Sequence, residues 1–231
     1  MNHYLVLVAG GKGVRMGSDT PKQFLSLNGK PLLVYAINIF HEVFPDIHVK
    51  LVLPRNYLHY QHSLIHFLPD DIDLTVVPGG DTRFHSVKAG LKAINHEGII
   101  FIHDGARPLI SKELILNCHL QTLQKGSAIP AISVENSLRQ VEEESSFPIN
   151  RDKFKIIQTP QTFKSELIIP AYQCEYNTAF TDDATVFEAF GQTVNLVEGD
   201  KVNIKITTFE DMLIAEALMK NRSNIFHLEE V

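Results

Sequence analysis

A short apolar run near the start of the chain, YLVLVA at residues 4–9, leads directly into the glycine-rich segment GGKGVRMG at residues 10–17. In α/β proteins, a buried strand that ends in a glycine loop brings backbone N–H groups close to phosphate oxygens. Two cations accompany the loop, Arg15 within it and Lys22 shortly after it. The simpler alternative is a tight strand-to-helix turn that uses glycine for its geometry alone.

The spacing of the glycines excludes two common nucleotide-binding loops. A dinucleotide-binding loop has the pattern G-x-G-x-x-G, but Met16 stands at the third glycine position. The P-loop pattern G-x-x-x-x-G-K-[ST] does not occur in the chain. The sequence therefore predicts a phosphate-binding loop of another kind.

Composition limits the class of protein. With 231 residues and 44% hydrophobic residues, the chain can form one large α/β domain with a substantial core. The net charge of −6 argues against non-specific binding to nucleic acid. The apolar runs are shorter than a membrane span, and the first strand leaves no room for a signal peptide. Cys118 and Cys174 match neither a zinc nor a disulfide pattern, so we expect a cytoplasmic protein without nucleic-acid or membrane partners.

Apolar strands alternate with helical patterns over the first two thirds of the chain. Strands are predicted at residues 49–53, 74–77 and 99–102. Pro31 is predicted to be the first residue of a helix, and a second helical stretch runs through Leu68. This alternation predicts a mainly parallel sheet that is covered by helices on both faces.

The alternation is interrupted between residues 133 and 151. This segment reads as a strand, an acidic tip at residues 142–146, and a return strand that extends to Ile157. A β-arm of such polar composition cannot be buried fully in the main core. We therefore expect either a surface hairpin or an arm that reaches across a partner subunit.

Polar clusters follow several of the predicted strands, where ligands of open α/β sheets bind. These clusters are the Gly-rich loop, residues 80–83 with Ser86, Asp104 with Arg107, and residues 198–205. Together they suggest a nucleoside triphosphate and a second anionic substrate, with Mg²⁺ as the usual complement. Asp104 could instead cap a helix or pair with Arg107, and Lys205 could be an ordinary surface lysine.

Three histidines, His59, His62 and His66, are predicted to share one helical face. They could bind a metal ion, but no carboxylate or cysteine completes the ligand set. A solvated or partly packed face is the favoured interpretation, and no metal-binding side chains are predicted.

The combination of motifs is more specific than any one of them. In chain order these are AGGKGVRMG, PKQF, GGDTRFHSV, HDGARP, QTPQTF, TDDAT and VEGDKVNIKIT. In this order they resemble the 2-C-methyl-D-erythritol 4-phosphate cytidylyltransferases of non-mevalonate isoprenoid biosynthesis. The resemblance covers nearly the whole chain. It implies a three-layer Rossmann-like nucleotidyltransferase fold, with a mainly parallel mixed sheet, in a single domain of residues 1–231. It also implies that the β-arm, at about residues 133–152, forms a homodimer.

The resemblance further implies a reaction and a set of site residues. CMP passes from CTP to a sugar-alcohol phosphate, pyrophosphate leaves, and Mg²⁺ is bound mainly through the CTP phosphates. Arg15 and Lys22 match the family's transition-state stabilisers. The residues expected near the nucleotide are Ala9, Gly10, Gly11, Gly13, Gly80, Asp81 and Ser86. The residues expected to position the second substrate are Arg151, Lys205, Asp104, Arg107, Thr159 and Thr181.

The sequence departs from the family pattern in two places. Asn136, Ser137 and Arg139 stand where the family often has Asp-Thr-x-Lys, which affects the expected specificity for the alcohol. Gly105 replaces the first alanine of a usual Ala-Ala pair, and we expect it to add backbone freedom near the site. The alternative functions are a ribitol-5-phosphate cytidylyltransferase and a non-catalytic nucleotide-binding regulator.

Overall fold

The computed structural model describes residues 1–9 and 25–225, with side chains as far as Asn221. Its strands are β1 Asn2–Val8, β2 Ser26–Leu27, β3 Lys30–Pro31, β4 His48–Leu53, β5 Asp73–Pro78, β6 Gly98–Asp104, β7 Ser127–Ser133, β8 Leu138–Val141, β9 Ser146–Ile149, β10 Lys155–Ile157, β11 Gln161–Lys164 and β12 Leu196–Glu198. Its α-helices are α1 Leu32–Val43, α2 Gln61–Ile65, α3 Arg83–Lys92, α4 Lys112–Lys125, α5 Ser165–Ala171, α6 Asp183–Ala189 and α7 Phe209–Ile225. Short 3₁₀ helices cover Arg55–Tyr60 and Arg151–Lys153.

A central sheet of eight strands organises the molecule. Seven strands follow the order β10-β7-β11-β6-β1-β4-β5, and β12 pairs with β7. Strands β6, β1, β4 and β5 are parallel to one another, whereas β11 runs antiparallel to both β6 and β7. The predicted mixed, mostly parallel Rossmann-like sheet is therefore confirmed. The antiparallel strand β11 lies next to the last parallel strand, β6.

Helices cover both faces of this sheet because the side chains of its central strands are apolar on both sides. In β1, Leu5 and Leu7 enter the core beneath α1 and α4, whereas Tyr4 and Val6 enter the core beneath α3, α5 and α6. Such two-sided burial explains why the strand reads as a continuous apolar run instead of an alternating one. A third, smaller cluster, which includes Leu27, attaches α7 to the β2–β3 hairpin.

The helix starts agree with the sequence patterns to within a residue or two. Pro31 is the N-cap of α1 and not its first residue, since the helix begins at Leu32. The helical stretch predicted through Leu68 is instead the 3₁₀ helix Arg55–Tyr60, followed by α2, which ends at Ile65. Thr82 caps α3, and its side chain accepts a hydrogen bond from the backbone of the third helical residue.

The segment predicted to be a β-arm forms a separate two-stranded sheet, in which β8 and β9 are antiparallel. The chain then returns to the central sheet through β10, whose residue Lys155 lies opposite Ser133 of β7. No helix within residues 1–9 and 25–225 combines the length and the apolarity needed to cross a membrane.

Candidate active site

The parallel strands β1, β4, β5 and β6 end at one edge of the sheet, where Val8 lies in register with Asp104. Beyond β1, the Ala9 N–H donates to the carbonyl of Val52 at 2.9 Å. The Ala9 amide is therefore used within the sheet. Its predicted place near the nucleotide stays a prediction.

The glycine-rich loop itself lies outside the described residues. This applies to the predicted catalytic pair Arg15 and Lys22 and to Gly10, Gly11 and Gly13. The roles of these five residues stay predictions from the sequence.

Gly105 fills a narrow space between the end of β6 and the core. A Cβ atom at this position would lie 2.3 Å from Cδ2 of Leu33 and 3.3 Å from the carbonyl oxygen of Val8. Leu33 is fully buried and cannot easily move away. The backbone at Gly105 is not in the left-handed region. The close contact gives a further reason for glycine at this position, namely lack of space for a side chain, while the expected backbone freedom stays a prediction.

The carboxylate of Asp104 lies between two cations. Arg83 Nε donates to Oδ1 at 3.2 Å, and Lys205 Nζ donates to Oδ2 at 2.6 Å. Burial would raise the pKa of Asp104, but the charges of Arg83 and Lys205 outweigh burial and hold that pKa well below its usual range. The group is thus ionised at any working pH. It is suited to accept hydrogen bonds from hydroxyl groups and not to transfer protons.

Arg83 connects Asp104 to a second carboxylate, that of Asp183 at the start of α6. Its Nη1 and Nη2 donate to the two oxygens of Asp183 at 2.8 and 2.7 Å. Asp183 is fully buried, and the hydroxyl of Tyr172 also donates to it, at 2.6 Å. Arg83 belongs to the polar cluster predicted at residues 80–83, whereas no role was predicted for Asp183. They lie inside the GGDTR and TDDAT motifs, but periodicity cannot show that these two motifs meet.

Behind Asp104, the buried His103 has a defined tautomer. Its Nε2 lies 3.1 Å from the carbonyl oxygen of Arg107, which can only accept, so Nε2 carries the proton. Its Nδ1 therefore accepts from the hydroxyl of Thr159 at 3.0 Å, and that hydroxyl oxygen accepts the Asp104 N–H at 3.1 Å. Burial lowers the pKa of His103 to about 4, which keeps the ring neutral. Thr159 was predicted to position substrate, but its hydroxyl is used to hold Asp104.

Arg107 lies beneath Asp104 and is almost completely buried. Its Nη1 donates to the carbonyl oxygen of Asn203 at 2.7 Å, and the Asn203 side chain donates to the Thr159 carbonyl at 2.8 Å. Among the described residues, Arg107 Nε has no hydrogen-bond partner. Gln158 secures the same region, since its side chain donates to the carbonyl of Asp200 at 2.8 Å. The QTPQ and GDKVN motifs are therefore in contact beside Asp104.

The turn after β5 brings together the residues predicted near the cytidine. The Gly80 N–H donates to Ser86 Oγ at 3.3 Å, which folds the turn back onto the start of α3. A Cβ atom at Gly80 would lie 2.4 Å from that of His85, so no larger residue fits there. Asp81 is exposed at the tip of this turn. The Arg83 contact with Asp104 links this turn to the end of β6.

Thr181 and Gln161 lie at the edge of the Asp104 cluster, which consists of Asp104, Arg83, Lys205, Arg107 and Thr159. Thr181, predicted to position substrate, is exposed and directly precedes Asp182, the N-cap of α6. Gln161 fixes this helix start, since its side chain donates to Asp182 Oδ2 at 2.8 Å and accepts the Ala184 N–H at 2.7 Å. Thr181 thus lies beside the helix that anchors Arg83.

Arg151 lies at the base of the β-arm and is exposed. Within the described part of this single chain, it donates to the carbonyl oxygen of Glu135, and Lys201 pairs with the carboxylate of the same residue. Neither contact belongs to the Asp104 cluster. The guanidinium of Arg139 is used within the arm, where it donates to the hydroxyl and the carbonyl of Ser146 at 2.8 and 2.6 Å.

The histidines predicted to share a helical face do not lie on one regular helix. His59 belongs to the 3₁₀ helix Arg55–Tyr60, His62 to α2, and His66 follows the end of α2. In residues 1–9 and 25–225 no group of three or more His, Cys, Asp or Glu side chains could hold a metal ion.

A mostly parallel sheet with a glycine turn, an ionised carboxylate and several cations at its carboxyl edge is the architecture of an α/β protein that binds phosphorylated ligands there. Residues 3–221 match the family model IspD: 2-C-methyl-D-erythritol 4-phosphate cytidylyltransferase. The chain therefore belongs to the 2-C-methyl-D-erythritol 4-phosphate cytidylyltransferase family.

Individual relatives agree with this assignment. The protein of that name from Phocaeicola vulgatus is 44% identical over 219 residues, which cover 95% of this chain and 100% of the relative. The Bacteroides fragilis protein is 44% identical over 214 residues, covering 93% of this chain and 98% of the relative. The crystal structure of the Thermus thermophilus enzyme has a TM-score of 0.76 at 29% identity, with 95% and 100% coverage. A structure of 4-diphosphocytidyl-2C-methyl-D-erythritol synthase from Anaerococcus prevotii has a TM-score of 0.80 at 28% identity, with 95% and 98% coverage.

Proposed function

We propose that the protein transfers CMP from CTP to 2-C-methyl-D-erythritol 4-phosphate, giving 4-diphosphocytidyl-2-C-methyl-D-erythritol and pyrophosphate. The observation that carries this proposal is the family match over residues 3–221, combined with the meeting of its HDGARP, QTPQ and GDKVNIK motifs around Asp104. Membership of this family supports a role in isoprenoid biosynthesis.

The chemistry requires no protein base. A phosphate monoester has a second pKa near 6, so at neutral pH the methylerythritol phosphate is largely a dianion and can attack directly. One of its oxygens forms a bond to the α-phosphorus of CTP while the bond from that phosphorus to the bridging oxygen of pyrophosphate breaks. The protein must align the two groups and stabilise the charge that develops at the α-phosphorus. We assign this stabilisation to Arg15 and Lys22.

The Asp104 cluster suits the second substrate. The carboxylate oxygens of Asp104 have lone pairs that its two cations do not use. These lone pairs can accept hydrogen bonds from hydroxyl groups of the alcohol. Lys205 is partly exposed, so its ammonium group can contact a phosphate. We propose that Arg107, which is almost completely buried, helps to position the substrate through its contact with the Asn203 carbonyl. We propose that Thr159 contributes by fixing the Asp104 backbone and that Thr181 borders the same space.

The turn with Gly80, Asp81 and Ser86 is the proposed place of the cytidine, because it lies at the carboxyl end of β5 and admits no side chain at Gly80. The described residues contain no ready set of metal ligands. We therefore propose that Mg²⁺ arrives with the CTP phosphates. Bound there, it would neutralise part of the triphosphate charge.

We further propose a single domain that forms a homodimer through its β-arm. The arm and its base expose apolar side chains, including Val141, Phe147, Phe154 and Ile156, which are each about half exposed or more. Such a set on a polar hairpin suits contact with a second subunit. Arg151 would then complete the site of the neighbouring subunit. Both cysteines are free thiols, which suits the cytoplasmic location that we propose.

The decisive experiment measures Mg²⁺-dependent pyrophosphate release from CTP, with methylerythritol phosphate and ribitol 5-phosphate offered separately. Release with methylerythritol phosphate alone is the expected result. Release with ribitol 5-phosphate alone would move the protein to the sister activity. If folded, CTP-binding protein releases pyrophosphate with neither, the proposed reaction is wrong and a regulatory role becomes the better hypothesis.

A further inference from the structure

All three nitrogens of the Arg83 guanidinium are engaged by carboxylates. Nη1 and Nη2 form a bidentate pair with Asp183, and Nε donates to Asp104 Oδ1. A bidentate arginine–carboxylate pair fixes the plane of the guanidinium, which a single contact does not. The direction in which Nε points is therefore set by Asp183.

Asp183 is itself held rigidly. It is the first residue of α6 and is fully buried. Its carboxylate accepts a hydrogen bond from the hydroxyl of Tyr172 at 2.6 Å. The helix start is fixed in turn by the side chain of Gln161 on β11. Arg83 thus connects two rigid elements, α6 and the end of β6.

The two cations on Asp104 differ in freedom. The side chain of Lys205 is 42% exposed, whereas that of Arg83 is 27% exposed and tied to Asp183. A phosphate that binds beside Lys205 would compete with Asp104 for the ammonium group. If Lys205 were the sole counter-ion, such a move would leave the largely buried carboxylate unpaired, which is costly.

We propose that Arg83 is a positioning residue of the transfer reaction: anchored on Asp183, it holds the Asp104 carboxylate in place and keeps it paired when Lys205 turns to the phosphate of the alcohol substrate. This proposal rests on the proposed function for the identity of that substrate. Arg83 contacts neither the reacting atoms nor the nucleotide in this role. It acts entirely through Asp104.

The test compares Arg83→Lys with Tyr172→Phe. Lysine keeps the positive charge but cannot bridge both carboxylates, so kcat/KM for methylerythritol phosphate should fall about 100-fold, while the KM for CTP changes little. Tyr172→Phe removes a hydrogen bond from the same Asp183 but leaves all three Arg83 contacts. It should lower the melting temperature and reduce kcat/KM far less than Arg83→Lys does. Equal kcat/KM in Arg83→Lys and wild type would overturn the proposal.

A second variant, Asp183→Asn, tests the proposal if Arg83→Lys does not fold. Asp183→Asn leaves Arg83 in place but removes its charged anchor, so kcat/KM for the alcohol phosphate should again fall more than the KM for CTP rises. Loss for both substrates in proportion to the folded fraction would mean that the network is only structural.

A substrate-free readout separates this proposal from the proposed function. The position of the Asp104 carboxylate, seen in crystal structures of the ligand-free proteins, should change in Arg83→Lys and stay the same in Tyr172→Phe. If wild-type protein releases no pyrophosphate, the proposed function fails, yet these structures still decide whether Arg83 holds Asp104. An Asp104 carboxylate that keeps its place in Arg83→Lys contradicts the positioning role whatever the reaction is.

Discussion

Lys205 follows Asp104 by 101 residues in the chain, yet its Nζ lies 2.6 Å from Asp104 Oδ2. The contact joins the end of the central strand β6 to the segment that precedes α7. It also lies at the boundary between core and solvent, since the Asp104 side chain is 11% exposed and that of Lys205 is 42% exposed. A ligand can therefore reach the lysine while the carboxylate stays fixed.

Replacing Asp104 tests its role as an acceptor for the alcohol. Asp104→Asn keeps the size of the side chain but removes the charge, so kcat/KM for methylerythritol phosphate should fall about 10- to 100-fold. The KM for CTP should change little. Steady-state kinetics with each substrate varied in turn would measure both values. Asp46→Asn, an exposed carboxylate near His3, is the control and should behave as wild type. Equal losses for both substrates would refute the assignment.

Removing either predicted stabiliser of the transition state should slow the chemical step. Arg15→Ala and Lys22→Ala should each lower kcat about 10³-fold or more, because a preorganised donor to the developing charge is lost. CTP affinity, measured by calorimetry, should be affected less. Lys30→Ala removes an exposed lysine of β3 and serves as the control. Near-normal turnover in either variant would exclude it from the catalytic pair.

Mixing of two inactive variants tests whether sites are shared between subunits. If Arg151 serves the neighbouring site, a dimer of one Arg151→Ala and one Lys22→Ala subunit contains one intact site. Random mixing should then restore about one quarter of the wild-type activity. The amount of mixed dimer is checked by tagging each variant differently. Mixed dimers that stay inactive would show that Arg151 acts within its own subunit or not at all.

The buried His103 should make stability depend on pH. Its pKa is about 4 when folded and 6.5 when unfolded, so between these values the unfolded chain binds more protons and the free energy of unfolding falls as the pH falls. The loss should reach about 3 kcal/mol near pH 4. Urea unfolding at several pH values would measure it.

The matched variant for this effect is His103→Gln, which keeps a donor and an acceptor but cannot titrate. Below pH 6.5, the free energy of unfolding of His103→Gln should depend less steeply on pH than that of wild type. A smaller slope should persist, because burial also lowers the pKa of His3 and of His119. Identical slopes in the two proteins would show that His103 is not the group responsible.

Much of the fold could be predicted because its strands are buried on both faces. The run at residues 99–102 reads as a buried strand from composition alone, and β6 covers it. The turn at Gly80 and the cap at Thr82 also follow from local chemistry. These signals lie within a few residues of one another, which is the range over which sequence patterns are informative.

The site was predictable only in part, because its most specific contacts are long-range. Arg83 and Asp183 are 100 residues apart, and no local pattern connects them. Thr159 was expected to position substrate, but no local pattern shows its contact with His103, which depends on β6 and β11 being neighbours. At Gly105, the sequence showed the missing side chain but not Leu33, which fills the space.

The large separation in sequence between Asp104 and Lys205, and between Arg83 and Asp183, has a consequence for synthesis of the chain. While the ribosome is still producing residues before Asp183, β6 can already pair with β1, but Arg83 has no anchor and Lys205 does not yet exist. The carboxylate at the centre of the site thus has both of its counter-ions only when nearly nine tenths of the protein has been made. A chain that ends before Lys205 lacks one of them, so activity reports on completion of the polypeptide and not merely on its folding.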